Sequence, residues 1–143
     1  METILVVDDH EDIRTLLSIT LEGDYRVLEA ADGEEALRVA KKEKPVAVLL
    51  DVMMPGELDG LQVLNAIKTD PALAHILVGM VTARGQEGDL ALGERYGADG
   101  YCVKPFSPLQ ILTWLRRRTH SSADLDQGAL NHSNGAANGS LLP

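Results

Sequence analysis

Apolar residues are distributed along this chain in two rhythms. Residues 4–7, 46–50 and 76–81 form short, nearly unbroken apolar runs, followed by Asp8, Asp51 and Thr82 respectively. Such runs, too short for helices and bounded by turn residues, mark strands buried on both faces of a sheet. Residues 25–30 and 100–103 mix polar with apolar positions, as edge strands do. Between these segments the apolar residues recur at helical spacing: Ile13, Leu16, Leu17 and Leu21; then Ala36, Leu37 and Ala40; then Leu61, Leu64 and Ile67; and finally Ile111, Leu112 and Leu115. Residues 86–96 give a fifth, weaker helix, because Gly88 and Gly93 each cost about 1 kcal/mol relative to alanine in a helix interior. This helix is expected to be mobile.

Local chemistry sharpens the boundaries. Gly23 is a helix stop, and Asp32 with Glu35 resembles a capping box opening a helix that runs to Lys44. Pro45 marks the entry to the central strand, Pro55-Gly56 the turn after it, and Pro71 the end of the third helix. Ser107, Pro108 and Gln110 combine an N-cap, an N1 proline and a capping-box glutamine for the last helix, which closes near Arg118. Five strands alternating with five helices require right-handed crossovers and hence a parallel sheet covered on both faces. Placing the three apolar strands centrally predicts an α/β fold, a flavodoxin-like (βα)5 three-layer sandwich of strand order 2-1-3-4-5. The domain is expected to span 1–118, with 119–143 a flexible polar tail too short to be an output domain.

Composition narrows the function classes. A formal net charge of −9 argues against a nucleic-acid binder. The one basic run, Arg116-Arg117-Arg118, complements the C-terminal dipole of the last helix. The lone Cys102 rules out an intrachain disulfide and reads as a buried structural thiol. No apolar run approaches the roughly 20 residues of a membrane span, and no secretory signal opens the chain, so a cytoplasmic protein without a membrane partner is expected.

In a parallel sheet all C-terminal strand ends lie on one edge, so Asp8, Asp9, Asp51, Thr82 and Lys104 are expected to converge. Crowded carboxylates demand a cation, and a hard divalent ion, best magnesium, fits. A hydroxyl and an ammonium then remain to bind an anion, most simply a phosphoryl group accepted by Asp51. Taken singly, Asp9 or Asp59 reads as a helix cap, His10 as an exposed loop histidine, and Met53-Met54 as turn packing. The joint pattern is what points to chemistry.

These motifs, Asp8-Asp9, Leu49-Leu50-Asp51-Val52-Met53-Met54-Pro55-Gly56, Asp59-Gly60, Thr82-Ala83 and Lys104-Pro105-Phe106, resemble the receiver domain of bacterial two-component response regulators. The resemblance covers residues 3–118. It implies a single-domain response regulator, not an enzyme acting on a separate substrate, whose Asp51 takes a phosphoryl group from a histidine kinase or phosphotransfer protein. It further implies that Asp8, Asp9, Asp51 and the backbone carbonyl of Met53 hold Mg2+, Asp8 largely through water. Thr82 and Lys104 would hold the phosphoryl oxygens, and Tyr101 would turn inward as Thr82 moves, reshaping the face of the fourth helix, fifth strand and fifth helix for a downstream protein. Met53 and Arg84 occupy positions that tune self-dephosphorylation in the family. The loop before Asp59 is one residue longer than the common form. A phosphatase would carry an acid at Met53, and a nucleotide binder would not carry the acidic run after the first strand. The serious alternative is a receiver-like scaffold whose regulation no longer needs phosphate.

Overall fold

The computed structural model describes residues 1–54, 56–82 and 87–119, apart from the side chains of 87–90. Ten elements alternate: β1 (Thr3–Val7), α1 (Glu11–Leu21), β2 (Arg26–Ala30), α2 (Gly33–Glu43), β3 (Ala47–Asp51), α3 (Gly60–Thr69), β4 (Leu77–Thr82), α4 (Glu87–Arg95), β5 (Gly100–Val103) and α5 (Pro108–Thr119). All strands are parallel and their order is β2-β1-β3-β4-β5, as the apolar runs predict. Residues 120–143, which hold nearly all of the expected tail, lie outside the described residues, as does Arg84.

Side chains alternate across the central strands and divide the core in two. Leu5, Val7, Val48, Leu50, Val78 and Met80 pack with Ala36 and Ala40 of α2 and Val63, Leu64 and Ile67 of α3. Ile4, Val6, Ala47 and Leu49 face the other way, onto Leu17 and Leu21 of α1 and Ile111, Trp114 and Leu115 of α5. The sheet is thus the middle of three layers.

Several local expectations are revised. Leu16 does not belong to the buried stripe of α1; it is 44% exposed, because Leu17 and Leu21, one turn apart, carry that face. On α3 the stripe includes Val63, whereas Leu61 is only partly buried. Asp32 caps α2 by accepting from the Glu35 amide at 2.8 Å, but the Glu35 carboxylate reaches back to the Ala31 N–H instead of the Asp32 N–H. The reciprocal capping box sits at α3. Asp59 accepts from Gln62 N–H at 2.9 Å and Gln62 accepts from Asp59 N–H at 2.8 Å, which fixes the place of Asp59 despite the longer loop. That loop turns on Gly56, whose φ of +97° suits a residue without Cβ. It closes against β3 at Gly60, where a methyl group would collide with the Asp51 carbonyl oxygen and lie 2.6 Å from Val52 Cα.

Candidate functional site

The C-terminal ends of β1, β3, β4 and β5 share one edge of the sheet, and backbone bonds lock their levels. Asp8 N–H donates to Ala30 O, Val52 N–H to Val81 O, and Lys104 N–H to Thr82 O at 2.7 Å. Asp51 and Thr82 are the last residues of their strands and are buried, as is Asp8; Asp9 is exposed. A buried strand therefore delivers a carboxylate to the mouth of the fold on a rigid support.

Lys104 Nζ lies 3.5 Å from Asp8 Oδ2 and 3.6 Å from Asp51 Oδ2 and so bridges two buried acids. The other oxygen of Asp51 accepts from the Met53 N–H at 3.2 Å. Burial, and then the negative charge of Asp8, push the Asp51 carboxyl up to about 6, although Lys104 and the Met53 amide pull the other way. The pocket thus holds more negative charge than one lysine offsets. Asp8, Asp9, His10 and Asp51 each offer one donor atom, and these four atoms lie within 4.8 Å of one another. Hard oxygen donors at this density suit a divalent cation.

Two residues that the sequence reading did not place in the site are part of it. His10 is no idle loop histidine: its Nδ1 lies 3.0 Å from Asp8 Oδ1 and 3.2 Å from Asp9 Oδ1, although the ring is 61% exposed. The bond to Asp8 and the charges of Asp9 and Asp8 raise its pKa. Arg14, one turn along α1, donates from Nη1 to the Asp8 carbonyl at 2.8 Å and from Nε to Glu29 at 3.0 Å, holding the acidic loop from behind. Its place four residues after His10, on the turn facing the sheet edge, was the available signal.

Tyr101 lies on β5 behind this edge and is 2% exposed, already turned inward against α4 beside Gly93. Burial pushes its phenol up to about 12, and its hydroxyl has no hydrogen-bond partner among the described residues. Cys102 is buried and its thiol is likewise pushed up to about 12, in keeping with an inert structural role.

Known proteins resemble this chain along most of its length. Residues 4–116 match the response regulator receiver domain. The chain belongs to that family. The receiver is 49% identical over 109 residues to the alkaline phosphatase synthesis transcriptional regulatory protein PhoP of Bacillus subtilis, covering 76% of this chain and 44% of that protein. It is 38% identical to the phosphate regulon transcriptional regulatory protein PhoB of Pseudomonas aeruginosa, over 90% of this chain and 59% of the relative. The chain therefore spans about half the length of these curated relatives. Among solved structures, the Vibrio cholerae chemotaxis response regulator CheY4 superposes with a TM-score of 0.75 at 35% identity, covering 82% of this chain and 98% of that one. As a receiver domain the chain is a signal-transduction protein of two-component systems and not a classical metabolic enzyme. No described helix is long and apolar enough to cross a membrane.

Proposed function

We propose that the chain is a phospho-acceptor switch in which Asp51 takes a phosphoryl group from a phosphohistidine of a histidine kinase or phosphotransfer protein. The reading rests on one observation above all: the buried Asp51 carboxylate shares Lys104 with the buried Asp8. An Asp51 oxygen attacks phosphorus, the P–N bond of the donor breaks, and the electron pair leaves with the imidazole nitrogen, which takes a proton from solvent. The product is an aspartyl phosphate. Asp8, Asp9, Asp51 and the Met53 carbonyl would hold a Mg2+ ion, which would offset the charge of carboxylates and phosphoryl oxygens alike. Lys104 moves its ammonium from the carboxylates to a phosphoryl oxygen, and the Thr82 hydroxyl holds another. Residues 1–118 act as the receiver unit, in the cytoplasm.

Output follows from Thr82 and Tyr101. Movement of Thr82 toward the phosphoryl group stabilises the inward Tyr101 and reshapes the face of α4, β5 and α5 for a downstream protein. These relatives are named as transcriptional regulatory proteins, which weighs against the expectation that nucleic acid has no part in the pathway. The test is intact mass after incubation with magnesium and acetyl phosphate, for wild type and Asp51→Asn. A gain of one phosphoryl group in the wild type alone is expected. A folded wild type that gains no mass would overturn the reading in favour of a phosphate-independent scaffold.

A further inference from the structure

We propose that His10 supplies a nitrogen ligand to the cation at this edge, so that the site takes a borderline transition-metal ion, such as Co2+ or Ni2+, more tightly than its carboxylates alone would. This inference rests on the metal site proposed above and concerns which ion that site prefers. Three observations carry it. His10 Nδ1 stands 3.0 Å from Asp8 Oδ1 and 3.2 Å from Asp9 Oδ1. Adjacent ligands of an octahedral ion with bonds of about 2.1 Å are separated by √2 times that length, about 3.0 Å, so these separations are edges of a first coordination shell. The full donor set spans 4.8 Å, against about 4.2 Å for opposite ligands of such an ion, so only a small contraction is required.

The residue is also held against the acids. The His10 backbone N–H donates to Asp8 Oδ1 at 2.8 Å, tying the residue to the acid it would share an ion with. His10 is the N-cap of α1, with extended backbone, yet its side chain makes no capping bond to the helix. It faces the carboxylates instead. An all-oxygen site suits magnesium, whereas an added imidazole shifts preference toward later first-row divalent ions.

The competing role for the same geometry is an imidazole N–H that merely orients Asp8 and Asp9. Calorimetric titration of the metal-free full chain with Co2+ and, separately, Mg2+ separates the two, using wild type, His10→Ala, His10→Gln and Asp51→Asn. His10→Gln keeps an N–H donor but no imidazole. Ligation predicts that both His10 variants lose about tenfold or more in Co2+ affinity while Mg2+ affinity changes by less than about twofold. Electron spin-echo modulation of bound Mn2+ supplies a readout independent of affinity: a directly bound 14N signal in wild type, absent in His10→Ala. Retained Co2+ affinity in His10→Gln, or parallel losses for both ions, would overturn ligation and leave an orienting role. If His10→Ala changes nothing but Asp51→Asn abolishes binding of both ions, the inference fails and the metal site stands. If wild type binds neither ion, both fail. The exposed position of the ring keeps folding out of the comparison, which thermal unfolding of each variant checks.

Discussion

At the scale of single residues, Asp51 is placed against its own stability. Its carboxyl is pushed up to about 6 by burial and by Asp8, so the folded state binds this proton more tightly than the unfolded chain does. For a raised pKa the contribution to stability is fully present below the unfolded value near 4 and is lost as pH rises through about 6. Metal-free Asp51→Asn is therefore expected to be more stable than wild type at pH 7 to 8, by about 1–3 kcal/mol, with the gain vanishing near pH 4. Chemical denaturation across that range checks it. A flat difference would mean that Lys104 compensates Asp51 fully. The sequence made Asp51 conspicuous because a lone acid closing an apolar run is easy to see. It gave no comparable signal for His10, whose contacts depend on how the chain leaves β1 and enters α1.

At the scale of elements, glycines set how closely α3 and α4 approach the sheet. Gly60→Ala would drive a methyl into the Asp51 carbonyl, which is backbone and has nowhere to yield. We expect a loss of at least about 2 kcal/mol and weaker phosphorylation, because the strand end itself must shift. Gly93→Ala is subtler. Alanine favours the helix by about 1 kcal/mol, but its Cβ would sit 2.8 Å from Tyr101 Cε1. The expected outcome is a displaced Tyr101 ring, seen as changed ring chemical shifts, without the stability gain that propensity alone predicts. Residues 91–95 of α4 bury only Gly93, and Leu92 is 36% exposed. Backbone amides of α4 should therefore exchange faster than those of β3 and β4, whose residues are almost all buried. Equal protection would remove the argument that α4 is the yielding part of the output face.

At the scale of the whole molecule, the same edge that gathers the carboxylates links metal binding to folding. A cation that binds only the folded chain stabilises it by about 2.7 kcal/mol at a hundredfold excess over Kd. Magnesium is expected to raise the Tm of wild type in a concentration-dependent way and to do so far less in Asp9→Ala, as thermal unfolding would report. The two core layers also differ in how they are tied. The end of α5 is anchored beside the turn after α1 by the Arg116 to Asp24 ion pair at 2.7 Å and the Tyr25 to Thr119 hydroxyl contact. Lys68 fastens the end of α3 to the start of β4 and β5 through the Ile76 carbonyl and Asp99.

The number of strands, their parallel order and the edge where Asp8, Asp51, Thr82 and Lys104 gather were written in the sequence. Apolar runs identify buried strands locally, and the handedness of crossovers leaves few ways to order them. The strand ends at 51 and 82 follow because each apolar run gives way there to a polar residue that opens the sheet edge. What tertiary structure decided is everything that depends on the angle between elements distant in sequence. It buried Leu17 and exposed Leu16, drew Val63 into the core, and moved the reciprocal cap from Asp32 to Asp59. It buried Asp8 while leaving its neighbour Asp9 exposed, and it brought Arg14 onto the Asp8 carbonyl and Glu29. A helix stripe is defined by its partner surface, and that surface is not encoded within a few residues of the stripe.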